Sequence, residues 1–314
     1  ATEQQTTRKL LTRAELEAYD PESEGWQKQF SRRYTHHSEM LNVLENMEDV
    51  NETVYSKFAV SVTPYMAKLM DKSDPNCPIR QQYLPSRSEE TKPGFHTLLD
   101  ELGEEGDTIP GTSVVHRYPR RVLFLVSNTC ATLCRFCTRK RATMVHGGYD
   151  KISGNDQRMI DYVRNHPEIR DVILSGGDPL TLNMNKLAFF LENLAAMPHV
   201  DVIRIGTRVP VTLPMRLRDT QLLDLIGSVG KVWIQTHFNH PREITPESAR
   251  GVKALLAQGV PVNNHSVLLK GVNDDLGTMR SLLRGLLRIK VRPYYLFHCD
   301  PVIGAGHFRT SVWK

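Results

Sequence analysis

Beyond about residue 115 the sequence alternates short apolar or β-branched runs with longer stretches whose apolar residues recur at helical spacing. The short runs predict strands over 122–126, 172–174, 202–205, 232–235, 262–268 and 292–297, and the longer ones predict helices over 156–165, 184–195, 221–226, 246–257 and 275–290. Strand and helix in alternation imply parallel strands joined by right-handed crossovers. Such units predict an α/β fold, a partial (β/α)6 TIM-like barrel.

Ahead of it the chain is polar and helix-prone. Thr12-Arg-Ala-Glu-Leu reads as a capped helix start, residues 38–47 carry apolar positions at helical spacing, and the run from Phe58 to Met70 continues the lobe, with Pro64 suited to a helix first turn. Asp74-Pro-Asn-Cys-Pro-Ile-Arg breaks regular structure, leaving Cys77 as a lone loop thiol. Residues 92–113 predict one short helix and a connecting loop. The expected organisation is a helical N-terminal region over 1–115 and a barrel over 116–314.

A barrel of parallel strands carries its working groups where the strands end, because the βα loops converge there. Polar clusters follow the predicted strands in turn: residues 128–141 with three cysteines, Ser175-Gly176-Gly177-Asp178, Gly206-Thr-Arg208, Thr236-His237-Phe-Asn-His240, the neighbourhood of His265, and His298-Cys-Asp300. Cys130, Cys134 and Cys137, spaced C-x3-C-x2-C on a loop leaving a buried strand, can turn three thiolates to one centre. Four thiolates complete an ordinary iron–sulfur cluster, so three leave one iron open to a small molecule. A zinc site completed by a histidine, or three separate buried thiols, are the alternatives.

Composition narrows the class. With 40% hydrophobic and 24% charged residues the chain is that of a soluble globular protein. It has no apolar run near the ~20 residues of a membrane span and no signal-peptide pattern at its start, so a cytoplasmic location is expected. A net charge of +5, spread rather than gathered, gives no support for nucleic-acid binding. Five cysteines, an odd number with three clustered, suit a reducing compartment and a metal site better than disulfides.

Two further motifs point to ligand binding. Ser175-Gly176-Gly177-Asp178 offers backbone amides that a ligand can approach, although a tight βα turn would look the same. Arg117-Tyr118-Pro-Arg120-Arg121 can grip a phosphate through charge-assisted hydrogen bonds, although solvated basic residues guarding a strand would also fit.

The run from Arg117 to Arg141, followed by Ile173-Leu-Ser-Gly-Gly-Asp, Ile203-Arg-Ile-Gly-Thr-Arg-Val-Pro-Val, Thr236-His-Phe-Asn-His-Pro, Ser266-Val-Leu-Leu-Lys-Gly-Val-Asn-Asp and Arg292-Pro-Tyr-Tyr-Leu-Phe-His-Cys-Asp, resembles the lysine 2,3-aminomutases of the radical S-adenosylmethionine (radical SAM) superfamily. The resemblance runs from about Val62 to Lys314. It implies that Cys130, Cys134 and Cys137 hold a [4Fe–4S] cluster, that Ser175, Gly176, Gly177, Asp178, His237 and His265 surround S-adenosylmethionine, and that Arg117, Tyr118 and Arg121 hold the phosphate of pyridoxal 5′-phosphate. By the same resemblance Arg139 pairs with the substrate α-carboxylate and Asp300 receives the distal ammonium of lysine. Asp300 could instead merely cap the following loop.

The implied reaction is an isomerisation, moving the α-amino group of L-lysine to the β-carbon to give β-lysine. It would need a reductant such as flavodoxin or ferredoxin, and the resemblance implies a homo-oligomer. A sibling aminomutase acting on arginine or another amino acid is one alternative, and a non-catalytic iron–sulfur or zinc-binding protein is another. Phe136 stands where histidine is common in the family, and His265 where glutamine is usual, which would make that position pH-sensitive. Family members continue past the position of Lys314 with a segment bearing the lysine that forms the Schiff base with pyridoxal phosphate. No residue here matches it, so that lysine is expected beyond Lys314.

Overall fold

The structure, a computed structural model, describes residues 9–47, 52–91, 94–144, 155–311 and 313. The six predicted strands are all present, as β2 (Arg121–Ser127), β3 (Asp171–Gly176), β4 (Val202–Gly206), β5 (Val232–Thr236), β6 (Val262–Leu268) and β7 (Arg292–His298), each parallel to the next. A seventh, β1 (Val114–Tyr118), was not expected. It pairs antiparallel with β2 through a hairpin in which Tyr118 faces Arg121, and it straddles residue 115. Its Val114 and Val115 are buried, but it then runs out to exposed Arg117 and Tyr118, so it lacks the apolar length that marks its neighbours.

The sheet order is β1 to β7 in sequence, with β1 and β7 as its two edges. The result is a curved, open barrel rather than a closed one.

The N-terminal lobe holds α1 (Arg13–Ala18), α2 (Trp26–Ser31), α3 (His37–Leu41), α4 (Glu52–Lys57), α5 (Pro64–Leu69) and α6 (Pro78–Tyr83). Short α7 (Lys140–Thr143) follows the cysteine loop, and the crossover helices are α8 (Asp156–Arg164), α9 (Met184–Ala195), α10 (Val209–Thr212), α11 (Thr220–Val229), α12 (Pro246–Ala257) and α13 (Leu276–Arg288). The barrel core lies between sheet and helices, where Val122, Val172, Ile203 and Ile234 meet Phe190, Leu222, Val252 and Leu286.

Local sequence explains the lobe. Thr12 and Glu15 close a capping box at α1, and the Thr63 hydroxyl accepts from the Met66 amide at α5, with Pro64 at the first turn. The helix expected over 38–47 stops at Leu41, and Asn46 adopts a left-handed φ of 53°. Cys77 is fully buried at the start of α6 rather than standing in an open loop, and its sulfur accepts from the Asp71 amide at 3.3 Å. The helix expected within 92–113 is missing among the described residues 94–113, which form turns and isolated bridges; residues 92 and 93 lie outside the described set. Among the described residues no helix is long and apolar enough to cross a membrane.

The lobe straps the cysteine loop to the barrel. Leu133 donates its amide to Ser61 O at 2.9 Å, Arg135 donates its amide to Gln82 O at 2.8 Å, and Arg33 reaches Cys130 O at 2.8 Å. The Arg135 side chain, with no exposed surface, grips Glu89 through Nε and Nη2 at 2.8 and 2.7 Å and donates to Ala59 O at 2.8 Å. Lys140 joins the same carboxylate at 3.5 Å. Two cations around one buried carboxylate make this strap costly to break.

Candidate active site

Side chains alternate across each strand, so one parity of every strand faces the barrel interior. Leu123, Ile173, Ser175, Arg204, Gly206, Gln235, and His265 share that parity and line a cavity of about 340 Å³. Arg139 from the cysteine loop and Glu104 from the turn-rich segment close its mouth, while Arg117, Tyr118, Tyr294 and Tyr295 line the side toward the sheet edges. The cavity wall has unmatched polar groups. Both amide atoms of Gln235 and Nε2 of His265 are enclosed without a hydrogen-bond partner. Buried polar atoms normally find partners, so these three mark where a polar ligand would complete the wall.

At the mouth, Arg139 presents one edge of its guanidinium to Glu104, with Nε at 3.0 and 3.2 Å from the two carboxylate oxygens and Nη2 at 2.7 Å from Oε1. Its Nη1 lies 3.3 Å from Ser175 Oγ. Glu104 is buried and also receives Arg141 at 3.1 Å. A second acidic group near Arg141 is Asp100, at 3.0 Å.

Two histidines stand across the middle of the cavity with ring centres 5.6 Å apart. Burial pushes His237 down to about 3, helped by His265 and Arg208, and pushes His265 down to about 4, helped by Arg204. Both rings are therefore neutral near pH 7. The pH sensitivity expected of His265 is displaced well below neutrality, because the ring sits among Tyr294, Tyr295 and Phe297 at 5.4–5.6 Å.

The far end is basic. Asp171 anchors Arg121 at 2.7 Å and Arg204 at 3.0 Å, so one carboxylate fixes two guanidiniums. Arg117 binds Asp107 at 2.6 Å and also donates to Leu102 O. Arg117, Tyr118 and Arg121 do line one wall, together with Arg204, which motif reading did not single out.

Other predicted residues sit outside this cavity. Gly176 has a φ of 110°, and a Cβ there would meet Ser127 O at 2.3 Å; one on Gly177 would meet Thr129 O at 2.5 Å. The glycines are thus required by the close passage of the β2 loop. The amides of Gly177 and Asp178 are already donated to Ser127 O at 2.5 Å and Thr129 O at 2.8 Å, so they are not open to a ligand as expected. Asp178 is likewise turned inward: it accepts from Thr207 Oγ1 at 2.6 Å, from the Arg208 amide at 2.7 Å and from the Leu180 amide at 3.0 Å. Its role here is to tie the β3 and β4 loops together.

The three motif thiols share one loop. Cys130 and Cys137 pack on Phe58, Leu133 and Met144, and Cys134 reaches the neighbouring cluster around Phe136 and Leu269. Burial raises both Cys130 and Cys134; Asp178, Cys137 and Cys134 add to the rise at Cys130, while at Cys134 Arg208 opposes it and Cys137 adds to it. Among the described residues no group of three or more His, Cys, Asp or Glu is already gathered as a metal site. Arg208 Nη1 donates to Cys134 Sγ at 2.8 Å, a contact suited to a thiolate. Three thiols on one loop, with a cation on one of them, fit a cluster that draws its own ligands together.

Asp300 follows β7 and is half-buried. Burial raises its carboxyl above the usual range, with Arg309 opposing, and it is not part of the cavity wall. Phe136 is buried against Phe308, with ring centres 6.3 Å apart.

Residues 124–283 match the family model described as Radical SAM superfamily. The chain belongs to the radical SAM superfamily. Within it the chain is similar to the L-lysine 2,3-aminomutase of Clostridium subterminale, with 43% identity over 86% of this chain and 64% of that protein. It is also similar to the L-lysine 2,3-aminomutase of Fusobacterium nucleatum subsp. nucleatum, with 38% identity over 94% of this chain and 69% of that protein. A glutamate 2,3-aminomutase of Clostridioides difficile is 39% identical over 88% of this chain and 64% of that protein. The chain is thus lysine 2,3-aminomutase-like, and it spans about two thirds of the length of these relatives. The superfamily uses a [4Fe–4S] cluster and S-adenosylmethionine, and its lysine 2,3-aminomutases also use pyridoxal phosphate.

Proposed function

We propose that this chain forms the barrel of an isomerase that moves the α-amino group of L-lysine to the β-carbon. The observation that carries the reading is the cavity that joins Arg139, the unmatched Gln235 and His265, and the basic end at Arg121 and Arg204, directly beside the cysteine loop. Cys130, Cys134 and Cys137 would hold the cluster, with S-adenosylmethionine near Ser175, His237 and His265. Pyridoxal phosphate would place its phosphate at Arg117, Tyr118 and Arg121. Together these groups supply hydrogen abstraction from carbon and a carrier for the migrating nitrogen.

The chain's own residues supply position. Arg139 would take the α-carboxylate through Nη1, the corner that Glu104 leaves facing Ser175. Gln235 and neutral His265 offer both donor and acceptor capacity, which holds a polar ligand without adding charge. Tyr294 and Tyr295, edge to face with ring centres 4.5 Å apart, give the β7 side of the cavity an aromatic surface against which an apolar part of the ligand would pack.

Asp300 would receive a cationic substrate tail. Burial keeps its carboxyl raised even with Arg309 nearby, and pairing with a substrate cation would lower it further. A substrate ending in a carboxylate would meet repulsion there. Lysine, arginine and glutamate offered separately to the reduced, fully loaded protein decide the matter: β-lysine from lysine is expected. Turnover of arginine or glutamate in preference to lysine would replace the lysine reading with a sibling activity.

A further inference from the structure

Arg208 occupies an unusual position at the end of β4. It is buried, and every nitrogen of its head group has a partner: Nε donates to His237 O at 3.0 Å, Nη2 to Gln82 Oε1 at 2.7 Å and Glu243 Oε1 at 2.8 Å, and Nη1 to Cys134 Sγ at 2.8 Å. The rings of Tyr83 and Phe136 lie 4.8 and 5.1 Å from its Cζ. Its backbone amide is fixed by Asp178. The head group is therefore held by the lobe, β4 and the β5 loop alike, and not by the sulfur alone.

We propose that Arg208 is a positioning residue that sets the reduction potential of the cluster through its hydrogen bond to Cys134. The proposal rests on the reading that Cys134 is a cluster ligand. Reduction adds one electron from a low-potential one-electron donor of the flavodoxin or ferredoxin class, with no proton taken up, so the cluster gains one negative charge. A hydrogen bond from a permanently charged guanidinium to a ligand sulfur stabilises that added charge and raises the potential. In a water-poor site the effect is screened little.

Glu243, fully buried, moderates it. Its carboxylate accepts from Nη2 while the sulfur accepts from Nη1, and it is held by the amides of Asn239 at 2.6 Å and His240 at 3.0 Å. One guanidinium thus carries its positive charge to Cys134 while a fixed carboxylate on the same head group offsets part of it. Structural need alone would be met by Nη2 and Nε; the placement of Nη1 on sulfur is what a tuning role requires.

Two variants move the potential in opposite directions. Arg208→Lys keeps a cation for Glu243 but has no planar fork to reach Cys134 as well, so the midpoint falls. Glu243→Gln keeps the hydrogen bond and removes the balancing negative charge, so the midpoint rises. The measurement is an anaerobic redox titration followed by electron paramagnetic resonance on the reconstituted full-length protein, with iron and sulfide content and thermal unfolding recorded for each variant. Opposite shifts at unchanged iron content support the assignment. Equal midpoints in all three proteins, or shifts of the same sign, overturn it. A wild-type protein that binds no cluster overturns the cluster reading itself, and this proposal with it.

Discussion

The carboxylate of Glu104 grips Arg139 along its Nε–Nη2 edge, at 2.7 Å from Nη2, and leaves Nη1 beside Ser175 Oγ. A guanidinium held in plane by one bidentate partner has lost most of the freedom that binding a second partner would otherwise cost. Glu104→Ala is therefore expected to raise KM for the amino acid about tenfold, roughly 1.4 kcal/mol, with a smaller change in kcat. Steady-state kinetics on the full-length protein, with Glu104→Gln as the milder variant, would show it. A KM equal to the wild type would show that Arg139 is positioned by something else.

Little of this pair could be read from the sequence. Glu104 lies in a segment rich in Gly, Asp and Glu that read as a connecting helix and loop, and only the tertiary path of that segment brings it to Arg139. The barrel itself was far more legible. Strands β2 to β7 and their crossover helices are set by apolar period, which the sequence displays directly, whereas β1 is short and half exposed. Gln235 was also missed. The signal was present, an amide within the apolar run Val232-Trp-Ile-Gln-Thr, because a polar residue on a buried strand must have a reason to be there.

The histidine pair makes stability depend on pH. The folded values, about 3 for His237 and about 4 for His265, lie below the ordinary value of 6.5, so between those limits the unfolded chain binds more protons than the folded one. Their contribution is complete above about pH 6.5 and is lost as pH falls toward 4. Thermal unfolding followed from pH 7 to pH 4 should show a falling midpoint, and His265→Gln should make that fall shallower. An unaltered pH slope in the variant would contradict the burial argument.

Glu89 is the keystone of the strap between lobe and cysteine loop. Removing its charge leaves Arg135 and Lys140 buried with no carboxylate between them. Glu89→Gln is expected to cost about 3–5 kcal/mol, measured by denaturant unfolding, and to lower iron content because the loop loses its anchor. An unchanged midpoint of unfolding would contradict this.

Gly177 tests the turn beside the thiols. A methyl group there would meet Thr129 O at 2.5 Å and Thr129 N at 2.6 Å, backbone atoms that cannot swing aside. Gly177→Ala should destabilise the protein by about 1–3 kcal/mol and displace the adjoining cysteine loop. Reduced iron uptake at equal protein concentration is the expected readout, and full uptake would show that the loop accommodates the methyl.

The most direct test of three thiolates with one iron left open is the electron paramagnetic resonance spectrum of the reduced, reconstituted protein before and after addition of S-adenosylmethionine. Binding at the open iron should change the spectrum of a [4Fe–4S]+ cluster, and Cys134→Ala should abolish both cluster and change. A spectrum that ignores S-adenosylmethionine, or a protein that takes up a single zinc and no iron, would contradict it.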